Sequence, residues 1–560
     1  MTPKLSQYKI FISILAFALL AGTIIASQYF RGVFSSELMS DANGHYVTTL
    51  LAHDYIRNIF PGNPVAYAVD YFIHYPSIRI GNNPPAFYAL SGLWALVTSD
   101  SIQSAYLLSA ALAALYCVIS MWWLARLEGM SAGLVAAISI ALLPTFQRVA
   151  GSFLIDIPIG IFSLAAAICY AMFLHRGARL PAVLFSIFAA AALLIKLSAL
   201  FLAVMVPLTI LISGKYSLLR NRNFWLPVLI VGTLITPWYL LTFETLTAGA
   251  KTQWDITYPL LSLSGYLSVF AANFTLPGLV LVLAGLVDRL RFIRANKGSI
   301  EADQWSVIIA LAVSVPLFQI FIPANILERY MITALGPMVM LLWPGAAAIG
   351  NLAGRQLQRH ALISEKFSGR IPYAILAVVL GVICVNALRI EPAPSNQMAQ
   401  AAQKASESLP ASNPIVLVAS HGRRESSFIA QLASRDKSRP SMFAVRGSRL
   451  FGKKEGFMNV DYAPKFNSPD EVLRELEKLS IAMIVLDRSA EAQMWQHNKD
   501  LAWLVDNKPE LWRQIWSMDN PGGDGTLSLL MLKSAETKTL DKSILIQEFR
   551  PKSGKIGTAE

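Results

Sequence analysis

The sequence predicts a polytopic α-helical membrane protein of about eleven to thirteen transmembrane helices, with a C-terminal α/β domain outside the bilayer. Three observations carry this expectation. Of the 560 residues, 54% are hydrophobic and only 15% charged, with a mean hydropathy of +0.49; a soluble domain carries about 25% charged residues. Apolar stretches of about 20 residues, the length that spans roughly 30 Å of hydrocarbon, recur through the first two thirds of the chain. Beyond them the composition shifts to that of a soluble domain. High hydrophobicity with little charge also excludes disorder. Cys117, Cys169 and Cys384 each lie inside an apolar stretch, so neither a disulfide framework nor a CxxC metal site is available.

Apolar runs near 9–30, 102–125, 131–150, 154–174, 180–196, 197–213, 223–243, 265–287, 305–323, 330–350 and 371–389 read as eleven crossings, with two more if helix pairs are hidden. The run from Pro84 to Val97 is about 14 residues long and opens with Pro-Pro, so it reads as a short helix dipping into the interface. Loop charge supports that choice. With the N-terminus, Lys4 and Lys9 in the cytoplasm, the cytoplasmic connections hold Arg126, His175 to Arg179, Lys215 to Arg222, Arg289 to Lys297 and Arg355 to Arg370. The far side receives connections poor in Lys and Arg, which is the positive-inside pattern. Counting 84–97 as a crossing would invert every later loop. The net charge of +12 therefore reads first as cytoplasmic loops, not as a nucleic-acid partner. The first apolar run is longer than a signal-peptide core and ten spans follow it, so an uncleaved first helix is expected.

The domain reading is a transmembrane domain over 1–391 and a soluble extra-cytoplasmic α/β domain over 392–560, entered through Glu391-Pro392-Ala393-Pro394. Within the first, 31–83 forms a long extra-cytoplasmic loop, a length that is usually functional. It holds an amphipathic helix at 43–59 whose polar face would carry His45, Thr49, His53 and Arg57. In the C-terminal domain, 414–419, 441–445, 481–487 and 527–532 read as strands, 425–434 and 469–479 as helices, and Ser468 as an N-cap. After the first strand, His421-Gly422-Arg423-Arg424 lacks the glycine fingerprint of a phosphate loop and reads as a solvated basic loop.

Ionisable groups at span ends are costly and are functional candidates by default. Five places qualify, all on the far side. Asp41 follows the first span; its plain role is a helix N-cap. His74 and Arg79 lie in an aromatic segment that leads to Asn83-Pro84-Pro85-Ala86-Phe87-Tyr88. Asp156 opens a span, with Arg148 eight residues earlier as a candidate ion-pair partner. Lys196 stands alone in a turn between two spans. Glu328-Arg329-Tyr330 opens another. Two carboxylates, cations and a His gathered at one membrane face suit deprotonation of a nucleophile with a phosphate leaving group held by Lys and Arg. A water-filled ion path would instead string polar groups through the bilayer depth.

These residues, in this order, resemble the GT-C superfamily of polytopic glycosyltransferases, specifically its family 39 branch, which includes protein O-mannosyltransferases and the bacterial aminoarabinose transferase of lipid A. Asp41 matches the Asp of the family's Asp-Glu motif, while Ala42 stands where the Glu usually is; Glu37, four residues upstream of Asp41, is a candidate substitute. Pro84-Pro85 resembles the family's helix start, with Asn83 in place of its preceding basic residue. Asp156 corresponds to the second Asp and Ile195-Lys196 to a Thr-Lys turn; Pro237-Trp238-Tyr239 and Arg329-Tyr330 also match. The resemblance covers roughly residues 1–390.

What the resemblance implies is sugar transfer, with inversion, from a polyprenyl-phosphate donor to an acceptor hydroxyl whose nature stays open, on the outer face of a bacterial inner membrane. Asp41 would be the general base and Asp156 would orient the acceptor or a basic partner. Lys196, Arg329 and Tyr330 would bind the donor phosphate, and His45, His74, Arg79, Asn83 and Tyr88 would line the substrate pocket. The resemblance fixes no cofactor; a divalent cation stays an option, and its ligands are unknown. A transporter or lipid flippase, or an inactive lipid-sugar-binding relative, are the competing classes.

Overall fold

The computed structural model describes residues 3–79, 81–249, 255–323, 325–360, 364–393, 396–453, 462–535 and 538–549. Pro394, in the expected entry to the C-terminal domain, lies outside them. The chain forms two compact units: Met1–Phe30, Leu107–Leu241 and Ala250–Glu391 in the first, and Arg31–Tyr106, Thr242–Gly249 and Pro392–Glu560 in the second.

Among the described residues, eight helices are long and apolar enough to cross a membrane: Ile10–Phe30, Ile102–Glu128, Asp156–Arg176, Arg222–Phe243, Tyr258–Ala295, Ile300–Phe321, Glu328–Arg359 and Ile371–Leu388. The pair Met130–Leu142 and Pro144–Ala150, bent by 69°, is long and apolar enough only when its two helices are taken together, as a broken span or a re-entrant loop. Leu143, immediately before Pro144, is extended (φ −61, ψ 129), as the clash with a following proline ring dictates. The other two expected crossings, 180–196 and 197–213, are the shorter apolar helices Arg179–Leu193 and Leu197–Ser213. The 15 residues of Arg179–Leu193 reach only about 23 Å at 1.5 Å per residue. The extended Lys196 stands between the two.

Two local features shape the helices of the first unit. Tyr258–Ala295 is interrupted at Thr275 (φ 58, ψ 171), two residues before Pro277; a β-branched residue at positive φ is a genuine outlier, and Pro277 cannot donate to the carbonyl of Asn273. Gly285 and Gly345 let two helices touch backbone to backbone: a Cβ on Gly285 would fall 2.0 Å from the Leu341 carbonyl oxygen, and one on Gly345 1.9 Å from that of Leu281. Small residues at such crossings are the usual solution in lipid, where close packing replaces the hydrophobic drive.

The second unit contains a five-stranded sheet of order β2-β1-β3-β5-β4. β1 (Ile415–Ala419), β2 (Phe443–Arg446) and β3 (Met483–Asp487) are parallel; β5 (Thr526–Leu532) runs antiparallel to β3, and β4 (Trp512–Asp519) antiparallel to β5. Four strands and the helices Gly422–Arg435 and Pro469–Lys478 fall where the sequence predicts them, and Ser468 accepts from Glu471 N as the N-cap. The unpredicted β4 is an edge strand with little buried surface and a bulge between Gln514 and Trp516, so it lacks the apolar signature that reveals the others. The short helix before the second span is Ala86–Val97, at the expected place and length.

His497 is buried beside Phe451, Tyr462 and Trp495, its Nδ1 2.8 Å from the Tyr462 hydroxyl. Burial lowers its pKa from 6.5 to about 3. Between those values the unfolded chain binds the proton and the folded chain does not, so stability is complete above about pH 6.5 and is lost as the pH falls toward 3. The expected loss is on the order of a few kcal/mol. Hydrogen exchange of the 481–505 region in the intact protein, measured from pH 7 to 4, should show that loss, and His497→Gln should flatten it. An unaltered slope in the variant would remove His497 as its cause.

Candidate active site

In the first unit, three of the five places singled out in the sequence meet at one carboxylate. Asp156 is the first residue of the helix Asp156–Arg176 and is buried. Its Oδ1 lies 3.4 Å from Lys196 Nζ and its Oδ2 3.8 Å from Arg329 Nε. The Lys196 ammonium sits over the Tyr330 ring, 4.1 Å from its centroid, and the Arg329 guanidinium carbon is 5.6 Å from the same centroid. Two cations against one carboxylate leave a formal surplus of positive charge, with an aromatic face beside it. An array of this kind has the charge and donors that suit an anion such as a phosphate.

The neighbouring chain holds these side chains in place. Lys196 follows a helix end fixed by the Tyr239 hydroxyl, which donates to the Leu193 carbonyl at 2.7 Å; this gives the Pro-Trp-Tyr motif a positional role. Arg329 and Tyr330 lie in the 3-10 turn Glu328–Met331. Glu328 does not point to the cluster's cations. It accepts from Arg148 Nε at 2.6 Å and from the Thr145 hydroxyl at 2.8 Å. Thr145 is held in turn by Asn273, whose Oδ1 accepts from Thr145 N at 3.1 Å and whose Nδ2 donates to its hydroxyl at 2.9 Å. The expected Arg148–Asp156 pair is thus corrected: Arg148 serves Glu328, because its bent helix points it at the 3-10 turn. Tyr116 adds a further anchor by donating to the Ile332 carbonyl at 3.0 Å.

In the second unit, Asp41 and Arg79 form an ion pair, Oδ1 to Nη2 2.8 Å, both partly exposed. Asp41 opens the helix Asp41–Arg57, so it lies in the first turn and is not the N-cap. The N-cap is Ser40, at φ 52 and ψ −128, a conformation that a non-glycine residue adopts only at a cost of about 1–3 kcal/mol. Arg79 reaches Asp41 across Gly44, where a Cβ would lie 2.6 Å from Arg79 Nε. Its backbone N donates to the Thr48 hydroxyl at 2.7 Å. His45 Nδ1 is 2.9 Å from the Tyr88 hydroxyl, which also bonds the Asn83 side chain. Asp41, Arg79, His45, Tyr88 and Asn83 therefore gather around one helix start.

His74 has other partners. Its Nδ1 is 2.8 Å from the Asp70 carbonyl and its ring stacks on Phe443 at 3.9 Å. Apart from the exposed Arg57, the polar face of that helix is buried: Thr49 pairs with Ser91 at 2.8 Å and His53 with Asp54 at 2.7 Å. Glu37 is likewise committed, one oxygen accepting from Met398 N at 2.6 Å and the other from the Ser427 hydroxyl at 2.7 Å. Burial raises its pKa against the pull of these hydrogen bonds. Both oxygens being taken, it does not replace the missing acid at the buried Ala42. In the basic loop, Arg423 is exposed as expected, while Arg424 turns inward to Asp487 at 2.9 Å and Gln397 at 2.8 Å. These contacts fill the β1–β3 end of the sheet.

Among the described residues no group of three or more His, Cys, Asp or Glu side chains could hold a metal ion. With Ala42 at the motif's second position, the donor set around Asp41 does not make a divalent-cation site.

The fold is that of a polytopic α-helical membrane protein with a five-stranded sheet in its second unit. Its fold is similar to that of ArnT from Cupriavidus metallidurans bound to undecaprenyl phosphate: TM-score 0.55, 13% identity, 93% of this chain and 99% of that chain. The apo state of ArnT gives 0.56 and 14% over the same shares. The archaeal oligosaccharyltransferase AglB from Archaeoglobus fulgidus, in complex with an inhibitory peptide and a dolichol-phosphate, gives 0.57 and 12%, over 93% of this chain and 74% of that chain. At these identities the likeness is one of fold. No protein-family model matches the chain, and no curated protein sequence matches it.

Proposed function

We propose that this chain is an integral-membrane glycosyltransferase, of the family 39 kind, that transfers a sugar from a polyprenyl-phosphate donor to an acceptor hydroxyl at the extra-cytoplasmic face of a bacterial inner membrane. The observation that carries the proposal is the buried Asp156 flanked by Lys196 and Arg329, with Tyr330 beneath both. The presence of undecaprenyl phosphate on ArnT and of dolichol-phosphate on AglB supports the choice of donor.

In the proposed reaction Asp41 accepts the proton of the acceptor hydroxyl, and Arg79 keeps the Asp41 carboxylate oriented. The acceptor oxygen bonds the anomeric carbon from the face opposite the leaving group. The bond from that carbon to the phosphate oxygen breaks, and its electron pair leaves on the lipid phosphate. Lys196 and Arg329 neutralise the charge that develops there, and Asp156 holds the two cations apart at fixed positions. One displacement gives inversion. Anion stabilisation by preplaced cations in a water-poor site is the largest single contribution such a site makes.

Purified protein in lipid nanodiscs, given polyprenyl phosphate carrying a labelled sugar and an envelope extract, is expected to move label to an acceptor. Lys196→Ala and Arg329→Ala should each raise the donor KM by about ten- to a hundredfold, the range of a charge-assisted hydrogen bond. Absence of transfer across a panel of sugars, with the lipid phosphate still bound, would overturn the enzymatic reading.

A further inference from the structure

The helix Tyr258–Ala295 turns one face inward at Tyr258, Ser262, Tyr266, Phe270 and Asn273, while Leu260, Leu261, Leu263 and Leu267 on its other faces are exposed. At its lower end Asn273 is fully hydrogen-bonded through Thr145 and the Val269 carbonyl. Nearer its start, Ser262 Oγ and the Tyr266 hydroxyl have no hydrogen-bond partner among the described residues, although Ser262 is 0% and Tyr266 1% exposed. Buried hydroxyls are rarely left so. A helical serine ordinarily returns its hydroxyl to the carbonyl four residues back, as Ser186, Ser268 and Ser306 do here. Ser262 does not.

The helix that carries the two hydroxyls packs on the chain segment leading to the cation cluster. A Cβ on Gly265 would lie 2.6 Å from Ile326 Cγ2, so this helix rests on the segment leading into the Glu328–Met331 turn. The Tyr266 hydroxyl is within electrostatic reach of Tyr330 and Tyr258. Ser120, Ser163 and Tyr170 are also unpartnered. They sit on other helices; Ser262 and Tyr266 share one face of the helix packed on the phosphate-binding turn.

We infer that Ser262 and Tyr266 form the sugar-reading subsite of the donor, bonding ring hydroxyls of the sugar whose phosphate Lys196 and Arg329 hold. This rests on the glycosyltransferase reading. The chemistry favours sugar over phosphate: a neutral hydroxyl both donates and accepts, which matches a polyhydroxylated ring, whereas the cations next to it already serve the anion. A site built to bond a substrate hydroxyl discriminates strongly against an analogue lacking it, because the protein group is then left buried and unpaired.

The test compares wild type with Tyr266→Phe and Ser262→Ala, two shape-preserving changes, on undecaprenyl phosphate alone and on undecaprenyl phosphate carrying a hexose, a pentose or their deoxy analogues. Binding of the bare lipid should stay within twofold in both variants. The value of kcat/KM for the preferred sugar should fall at least tenfold in Tyr266→Phe, and the preference over one deoxy analogue should disappear. An equal loss for bare and sugar-bearing lipid would overturn the inference in favour of a phosphate contact, and no loss would overturn it in favour of a water-filled niche. Should wild type bind lipid phosphate but transfer nothing, the enzymatic reading fails by itself. The subsite then stands or falls on whether wild type, and not Tyr266→Phe, binds the sugar-bearing lipid more tightly than the bare one.

Discussion

Asp41→Asn is expected to lower sugar transfer by about a hundred- to ten-thousandfold, the range that a positioned general base supplies, with no change in melting temperature or donor binding. The substitution keeps the side chain's shape and leaves an oxygen for the Arg79 guanidinium, which lies 2.8 Å from Asp41 in the native protein. What it removes is the capacity to take up a proton. Asp41 is the right kind of residue for that loss to appear in kcat, because it is partly exposed and opens its helix behind a strained Ser40, and backbone strain of this kind clusters at functional sites. Arg79→Lys should fall between wild type and Asp41→Asn, since an ammonium keeps the charge but not the planar fork that fixes the carboxylate. The measurement is the initial rate of label transfer at saturating donor, beside a thermal melt of each variant. Undiminished transfer by Asp41→Asn would take Asp41 out of the reaction.

The sequence made the fold legible wherever burial leaves a periodic trace. Eight of the eleven apolar runs became long helices, and the four β-strands with an apolar core face were found, while the solvent-edge β4 was not. The run near 131–150 looked like one span because hydropathy does not register a 69° bend; the trace of the bend was Pro144 alone. At the site, single-residue cost in lipid was enough to single out Asp156, Lys196 and Arg329, since an uncompensated charge there is expensive whatever its partners. Pairing was a different matter. Arg148 and Glu328 are 180 residues apart, and only the packing of Thr145 and Asn273 decides that they meet. The same holds for His74: an isolated His beside aromatics carries no sign of whether it faces a substrate or, as here, stacks on Phe443.

The largest stability effect is expected at Arg439, a residue to which composition and motif gave no weight. Its Nε donates to Asp54 Oδ2 at 2.9 Å and its Nη2 to Asp54 Oδ1 at 3.2 Å; Nη2 also pairs with Asp100, and Nη1 reaches the carbonyls of Ala433 and Asp436. The guanidinium and Asp54 are both buried. Burial alone would push the Asp54 carboxyl up, but hydrogen bonds from His53 and Arg439 and the charge of Arg439 bring it below its usual value. Removing the cation leaves that buried carboxylate with the hydrogen bonds of His53 and Tyr71 but without its guanidinium counter-charge. Arg439→Ala should therefore destabilise the second unit by about 3–5 kcal/mol at neutral pH, the usual consequence of breaking one side of a buried pair. The pH dependence carries the sign. In wild type the depressed carboxyl contributes stability above its unfolded-state pKa and loses it as the pH falls through the folded one. In Arg439→Ala the unpaired carboxyl gains from protonation, so the deficit should shrink as the pH falls through the carboxylate range. Arg439→Met combined with Asp54→Asn, which removes both charges, should recover most of the loss. Hydrogen exchange of 41–57 and 433–446 in the intact protein reads the effect directly; protection as strong as wild type in Arg439→Ala would mean that the ion pair is spectator to the fold. Because Asp54 belongs to the helix that Asp41 begins, the same variant should lose transfer activity, and the double variant should regain it in proportion to its stability.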